Sequence, residues 1–156
     1  MIEIEIPGRP SMGLEHLVLD YNGTLAVDGE PVPGVKERLS ALAERVKVHV
    51  ITADTFGKAS AALDGVPCEL SILPPGAQDQ GKLEVVQRLG PRRCVCVGNG
   101  NNDRLMLAEA ALGIAVILAE GACAQTVAAA DVVCTSILDA LDLLDHPLRL
   151  VATLRC

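Results

Sequence analysis

Four short polar clusters interrupt an otherwise apolar chain, and they hold the residue types that do chemistry. The first is Leu19-Asp20-Tyr21-Asn22-Gly23-Thr24-Leu25. A carboxylate follows an apolar run and precedes a glycine-containing turn, whose successive N–H groups suit an anion. The same residues also suit an Asx turn, with Asp20 bonding its own backbone. The second is Ile51-Thr52-Ala53-Asp54. A hydroxyl and free N–H groups at the start of a helix make an anion site, and Thr52 or Asp54 is equally a helix N-cap. The third is Lys82, just after Gly81, where a helix is expected to begin. A lysine there opposes the helix dipole, though a solvated surface is the ordinary place for a lysine. The fourth is Gly98-Asn99-Gly100-Asn101-Asn102-Asp103, a tight polar loop in which Asp103 stands ready to cap the next helix. Gly98-x-Gly100 with Glu120 about 20 residues on also hints at a dinucleotide fingerprint. Its third glycine is missing, and Asp103 in that place would repel a pyrophosphate.

The elements around these clusters alternate. Leu17–Leu19, Val46–Ile51, Cys68–Leu73, Arg93–Val97, Ile114–Leu118 and Val132–Cys134 read as strands. Helices are expected over 34–45, 55–63, 81–89, 103–111, 122–129 and 137–144, the first with Val35, Leu39 and Leu42 on one face. Ile2–Ile6 alternates apolar and acidic residues, as an N-terminal edge strand does, and Asp28-Gly29 suggests a small hairpin inside the loop 23–33. Strands alternating with helices predict an α/β fold, a parallel sheet covered on both faces. Ligands of such sheets lie beyond the carboxyl ends of the strands, where all four clusters fall.

Composition removes several classes of function. The chain has 156 residues, about one domain's worth. Its 13 Lys+Arg against 20 Asp+Glu give a net charge of −7, and it has one Tyr, one Phe and no Trp. Nucleic-acid binding needs cationic side chains and stacking platforms, so no nucleic-acid partner is expected. No apolar run reaches the ~18–20 residues of a membrane span, and the acidic N-terminus does not resemble a signal peptide. The expectation is a cytoplasmic protein with no membrane partner. The six cysteines form no C-x-x-C pair and read as reduced, small buried hydrophobes. His16, His49 and His146 are scattered, and none reads as a ligand or catalyst.

Taken together, in this order and at these places, the clusters resemble the motifs of the haloacid dehalogenase (HAD) superfamily of phosphohydrolases. Asp20-Tyr21-Asn22-Gly23-Thr24-Leu25 matches D-x-D-G-T-L with one change, Thr52 the second motif, Lys82 the third, and Gly98–Asp103 the G-D-G-x-N-D form of the fourth, again with one change. The fourth block, with Leu105-Met106-Leu107 after it, looks most like the phosphorylation domain of P-type ATPases and is also similar to phosphoserine-phosphatase-like enzymes. The resemblance covers roughly residues 14–145. It implies a three-layer, Rossmann-like parallel sheet in one domain spanning 1–156, with an N-terminal edge strand at 2–6, a helical tail at 146–156, and no room for a cap domain.

The resemblance also implies a mechanism. Asp20 would be the nucleophile and form an aspartyl-phosphate. Thr52, Lys82 and the loop groups at Tyr21, Asn22 and Ala53 would hold the phosphoryl oxygens. Asp20, Asn22, Asn99 and Asp103 would hold Mg²⁺, the implied cofactor. Both departures from the motifs replace Asp by Asn. Asn22 stands where phosphatases of the family keep their general acid/base, whose loss costs ~10²–10⁴ in rate. Slow hydrolysis of a small phosphorylated substrate with a good leaving group is therefore expected. Asn99 removes one negative charge, so weak Mg²⁺ binding is expected. A non-catalytic, regulatory domain that binds phosphate or a partner, and a phosphotransferase, are the alternatives. Leu141, Leu144 and Leu148 predict a last helix on the sheet, or a contact in a homo-oligomer.

Overall fold

Six apolar runs pair as one parallel sheet. In the computed structural model, which describes residues 1–156, the chain runs β1 (Ile2–Ile4), β2 (Met12–Leu14), β3 (His16–Leu19), β4 (Ala26–Val27), β5 (Glu30–Pro31), α1 (Val35–Leu42), β6 (Lys47–Thr52), α2 (Ala59–Ala62), β7 (Glu69–Ile72), α3 (Gln78–Leu89), β8 (Cys94–Gly98), α4 (Arg104–Glu109), β9 (Leu112–Val116), α5 (Ala124–Ala129), β10 (Val132–Cys134), α6 (Ile137–Asp145) and α7 (Pro147–Leu154). The main sheet has the order β10-β9-β8-β3-β6-β7, and every neighbouring pair is parallel. β3 and β8, whose carboxyl ends carry the first and fourth clusters, are adjacent at the centre, and β6, which carries the second, lies on the other side of β3.

Alternation along the strands divides the core in two. Leu17, Leu19, Val48, Val50, Val95 and Val97 join α1, α6 and α7 in the larger cluster through Val35, Leu39, Leu141, Leu144 and Leu150. Val18, Ile51, Cys94, Cys96 and Ala115 join Val86 of α3 and Met106 and Leu107 of α4 in the smaller one. Such two-sided burial explains the near-continuous hydrophobic runs of the inner strands. No helix is long and apolar enough to cross a membrane.

Three elements differ from the expectation. Ile2–Ile4 does not border the main sheet: it pairs antiparallel with Met12–Leu14 in a separate two-stranded sheet, burying Ile2 and Ile4. The helix expected over 55–63 is confined to Ala59–Ala62, because Asp54 and Gly57 take positive φ (49° and 66°). Asp54 Oδ1 then accepts the Lys58 and Ala59 N–H groups. α3 begins at Gln78, three residues before Gly81. The hairpin does form, β4 against β5, with Asp28 and Gly29 both at positive φ as a two-residue turn requires. All six cysteines are free. Burial pushes Cys94 up to about 11 and Cys96 well above its ordinary value, so both thiols are inert. Cys156 is exposed, and Cys68, Cys123 and Cys134 are only half-buried.

His16 and His49 are not scattered. Their Nδ1 and Nε2 atoms lie 3.1 Å apart in the buried lower part of the sheet, and His49 Nδ1 lies 3.1 Å from Glu69 Oε2. With His49 donating to Glu69, His16 donates to His49, and both rings are neutral. Burial lowers the pKa of His16, with His49, Arg93 and Lys47 adding to the effect and Glu15 opposing it. Burial also lowers that of His49, against the pull of Glu69. Groups whose folded pKa is lowered below the unfolded value near 6.5 leave the fold at full stability above that pH, and stability is lost as pH falls from there through the folded pKa. Thermal unfolding should therefore show a lower Tm at pH 5.5 than at pH 7.5, and the difference should shrink in His16→Gln. An unchanged difference in the variant would remove this pair as its source.

Candidate active site

Asp20 follows directly on β3, and its N–H donates to the Val97 carbonyl at 3.0 Å, which keeps it level with the end of β8. The Tyr21 carbonyl then accepts three N–H groups, from Thr24, Leu25 and Ala26, at 3.2, 2.9 and 3.0 Å. The chain thus curls over the strand end. Gly23 takes φ 79°, and a side chain there would run into Asn99 Nδ2. The first and fourth loops meet at this glycine.

Lys82 lies in the second turn of α3, not at its start. It shares the core-facing stripe with Val86 and Leu89, and it is 0% exposed. Its Nζ donates to Asp20 Oδ1 and to Asp103 Oδ1, both at 2.7 Å. A buried ammonium is tolerated only when paired in this way. Asp103 is also 0% exposed. Its Oδ2 accepts the N–H groups of Asn99 and Gly100 at 3.0 and 2.8 Å. It therefore closes its own loop and does not cap α4, which has no side-chain cap. Asn99 is fixed on both sides: Nδ2 donates to the Gly121 carbonyl at 3.0 Å, and Oδ1 lies 3.2 Å from the Thr24 hydroxyl. That hydroxyl is also 3.3 Å from Asp20 Oδ2.

Burial is the largest influence on Asp20 and, with the Asp103 charge, raises its pKa to about 7 against the pull of Lys82 and the Tyr21 N–H. For Lys82 burial acts downward, but Asp20 and Asp103 outweigh it and hold the ammonium above its ordinary value. The ammonium therefore stays charged, and the proton that the cluster can gain or lose near neutrality is on a carboxylate.

Asp20, Lys82, Asn99 and Asp103 thus form one hydrogen-bonded network. The bridging member missing from the expected site residues is Thr24 of the first cluster, whose hydroxyl meets Asp20 four residues before it and Asn99 75 residues after it. The Gly121 carbonyl, which orients Asn99, has no signal in the sequence. Thr52 ends β6 on the neighbouring strand, buried, with its hydroxyl accepting the Asp54 N–H at 2.8 Å. Ala53, half-buried, follows it. Neither joins the network. The Tyr21 side chain points away and donates to the Gly29 carbonyl at 2.9 Å. Asn22 is bridged to Ala26 through the backbone, and its Oδ1 is buried with no partner. The largest surface cavity, about 630 Å³, is lined by Met1, Glu15, Arg45, Lys47, Cys68 and Glu69, among others, and contains no residue of the network.

The donor set can be tested against a cation. No three His, Cys, Asp or Glu side chains gather as a ready-made cage. The available atoms are hard oxygens, Asp20 Oδ2 and Asn99 Oδ1, which share one hydroxyl. This fits Mg²⁺, which needs only one or two carboxylates when water and phosphate complete its shell.

No known family model matches the chain. The uncharacterized protein MJ0073 of Methanocaldococcus jannaschii is 43% identical over 84 residues, 51% of this chain and 90% of that protein. The uncharacterized protein MJ0072 of the same organism is 51% identical over 39 residues, 25% of this chain and 89% of that protein. Three solved phosphatases share the fold. The 3-deoxy-D-manno-octulosonate 8-phosphate phosphatase of Moraxella catarrhalis, solved with magnesium, phosphate and KDO, has a TM-score of 0.66 at 17% identity, over 88% of this chain and 92% of that one. The corresponding Haemophilus influenzae enzyme, in a cobalt-bound form, has a TM-score of 0.72 at 13% identity, over 90% and 92%. A HAD-superfamily phosphatase of Bacteroides thetaiotaomicron has a TM-score of 0.61 at 12% identity, over 90% and 96%. The chain belongs to the family of the M. jannaschii protein MJ0073, and its fold is that of the haloacid dehalogenase superfamily without a cap domain.

Proposed function

We propose that the chain, acting as one domain, is a Mg²⁺-dependent phosphohydrolase in which Asp20 is the nucleophile. The observation that carries this reading is the buried ammonium of Lys82 shared between Asp20 and Asp103 at the carboxyl ends of the central strands. Such a cluster is costly to bury, and its place beside the β3 and β8 ends is where ligands of this sheet type bind. The Asp20 carboxylate attacks phosphorus, the bond to the leaving oxygen breaks, and that oxygen takes the electron pair. Water then hydrolyses the aspartyl-phosphate and frees Asp20. Lys82 favours the ionised form of Asp20 against burial and the Asp103 charge, and it offsets the charge of the incoming group. Thr52 and the N–H groups around Tyr21, Asn22 and Ala53 hold the phosphoryl oxygens. Asp20, the Asn22 carbonyl, Asn99 and Asp103 would hold Mg²⁺, which neutralises charge on the transferring group. Asn22 has no proton to give, so substrates are small phosphorylated molecules whose leaving group needs none.

One observation favours a binding domain over an enzyme. Asn22, in the acid/base position, has an unpartnered oxygen and makes no side-chain bond to Asp20. Turnover of p-nitrophenyl phosphate with and without Mg²⁺ decides between the two readings. The expected result is slow Mg²⁺-dependent turnover, none in Asp20→Asn, and a rise of about 10²-fold in Asn22→Asp, the lower end of what a positioned acid contributes. A beryllium fluoride adduct on Asp20 should form in the wild type. Absence of turnover and of the adduct would leave the binding domain.

A further inference from the structure

We propose that the substrates of this site are aryl phosphate esters, and that Phe56 is the platform on which the aryl ring stacks. The inference rests on the phosphohydrolase reading and adds its substrate class. The first observation behind it is chemical. Asn22 has no proton to give to the leaving oxygen. An alkoxide needs that proton as it departs, whereas an aryl oxide spreads its charge into the ring and departs as the anion. The bond from the Asp20 oxygen to phosphorus forms, and the bond from phosphorus to the aryl oxygen breaks. The aryl oxygen keeps the electron pair until water protonates it in solution. Acyl phosphates meet the same demand, so the choice between the two classes rests on what lines the exit from the site.

That exit is apolar on one side. Phe56, the one phenylalanine of the chain, is 44% exposed, although such a side chain is ordinarily buried. It stands at the corner of a turn that follows Thr52 and Ala53 and is closed by the Gly57 N–H donating to the Asp54 carbonyl at 2.8 Å. The turn is fastened to the tip of the β4–β5 hairpin. A Cβ at Gly29 would lie 2.9 Å from Phe56 Cβ, and Lys58 Nζ donates to Glu30 Oε1 at 2.6 Å. The Tyr21 hydroxyl, donating to the Gly29 carbonyl, fixes the tip in turn. Asn22 is bridged to Ala26 at the base of the same hairpin. From Ala26 to Gly29 the chain spans at most about 10 Å, so a leaving group that passes Asn22 comes within reach of the Phe56 ring. Ile72, paired with Thr52 at the end of β7, is 54% exposed, and exposed Pro74 and Pro75 follow it toward α3. The loop 98–103 across the site carries amides instead. A flat apolar ring finds a stacking partner beside the hairpin, and a small polar acyl group finds none.

Steady-state kinetics with 4-nitrophenyl phosphate and acetyl phosphate tests this, because both leaving groups depart without a proton and the first alone carries a ring. In Phe56→Ala the ratio of kcat/KM for the aryl ester to that for acetyl phosphate should fall about tenfold, the upper range of an aromatic pair, and the fall should come from KM of the aryl ester. Phe56→Tyr keeps the ring and should hold the ratio within about twofold. Isothermal titration in Mg²⁺ gives a reading without turnover: phenylphosphonate should bind the wild type about tenfold more tightly than methylphosphonate, and Phe56→Ala should remove the difference. An unchanged ratio in Phe56→Ala, or a loss of kcat shared by both substrates, would overturn the inference and leave the phosphohydrolase reading standing. So would a change that follows dissociation of an oligomer in light scattering, which would give this rim to a second copy of the chain. If the wild type turns over neither substrate and beryllium fluoride forms no adduct on Asp20, both readings fall.

Discussion

Replacing Lys82 by Met should cost the fold about 3–5 kcal/mol and remove turnover, because it leaves buried charge without its partner. Methionine keeps most of the side-chain volume, so the loss comes from charge and not from a cavity. Asp20, 6% exposed, and Asp103, 0% exposed, would then lose the ammonium that each holds at 2.7 Å. One of the two must take up a proton or open to water, and either response dismantles the site. Urea denaturation at pH 7 measures the cost. The double variant Lys82→Met/Asp103→Asn removes the second charge as well, and it should recover part of the lost stability without recovering turnover. That split separates the electrostatic account from simple damage to α3. A Lys82→Met protein within about 1 kcal/mol of the wild type, well below the penalty for breaking a buried ion pair, would mean that the ammonium is not what keeps the two carboxylates buried.

The parts of this molecule that were legible in the sequence are those set by local pattern. Alternating apolar runs and amphipathic stretches locate the six main-sheet strands, and Asp28-Gly29 locates a turn that demands positive φ at both residues. Three of the four clusters, those after β3, β6 and β8, fall at strand ends because loops carry the polar residues that a two-sided sheet cannot bury. What was not legible is whatever depends on partners distant in sequence. Ile2–Ile4 has the pattern of any half-buried strand, and nothing local says that it pairs with Met12–Leu14. Lys82 reads as polar, yet it lies on the buried stripe of α3, since its partners are 62 and 21 residues away. Thr24 and Gly121 act on Asn99 across 75 and 22 residues. The expected helix over 55–63 fails for a local reason of another kind: Asp54 and Gly57 leave the helical region and the Asp54 carboxylate caps at Ala59, choices that apolar periodicity does not register.

Gly98→Ala should lower turnover by about 10²-fold, the usual consequence of misplacing a catalytic constellation by about an ångström. Gly98 is the last residue of β8, and no positive φ requires a glycine there. The requirement is steric. A Cβ would lie 2.5 Å from Asp103 Cγ and 2.6 Å from both its Cβ and its Oδ2. Asp103 has little freedom to yield, because its two oxygens hold Lys82 and close the loop through the Asn99 and Gly100 N–H groups. Any retreat therefore moves the lysine off Asp20 or opens the fourth loop. Gly113 provides the comparison. A Cβ there would run into the Leu107 carbonyl on α4, away from the network. Gly113→Ala should act mainly on stability, at about 1–3 kcal/mol for an overpacked core. Steady-state kinetics and urea denaturation on both variants should give opposite rankings, with Gly98→Ala the worse in turnover and Gly113→Ala the worse in stability. If Gly98→Ala instead ranks with Gly113→Ala on both measures, the close approach at Gly98 serves packing, and Asp103 need not be held where the wild type holds it for the chemistry to proceed.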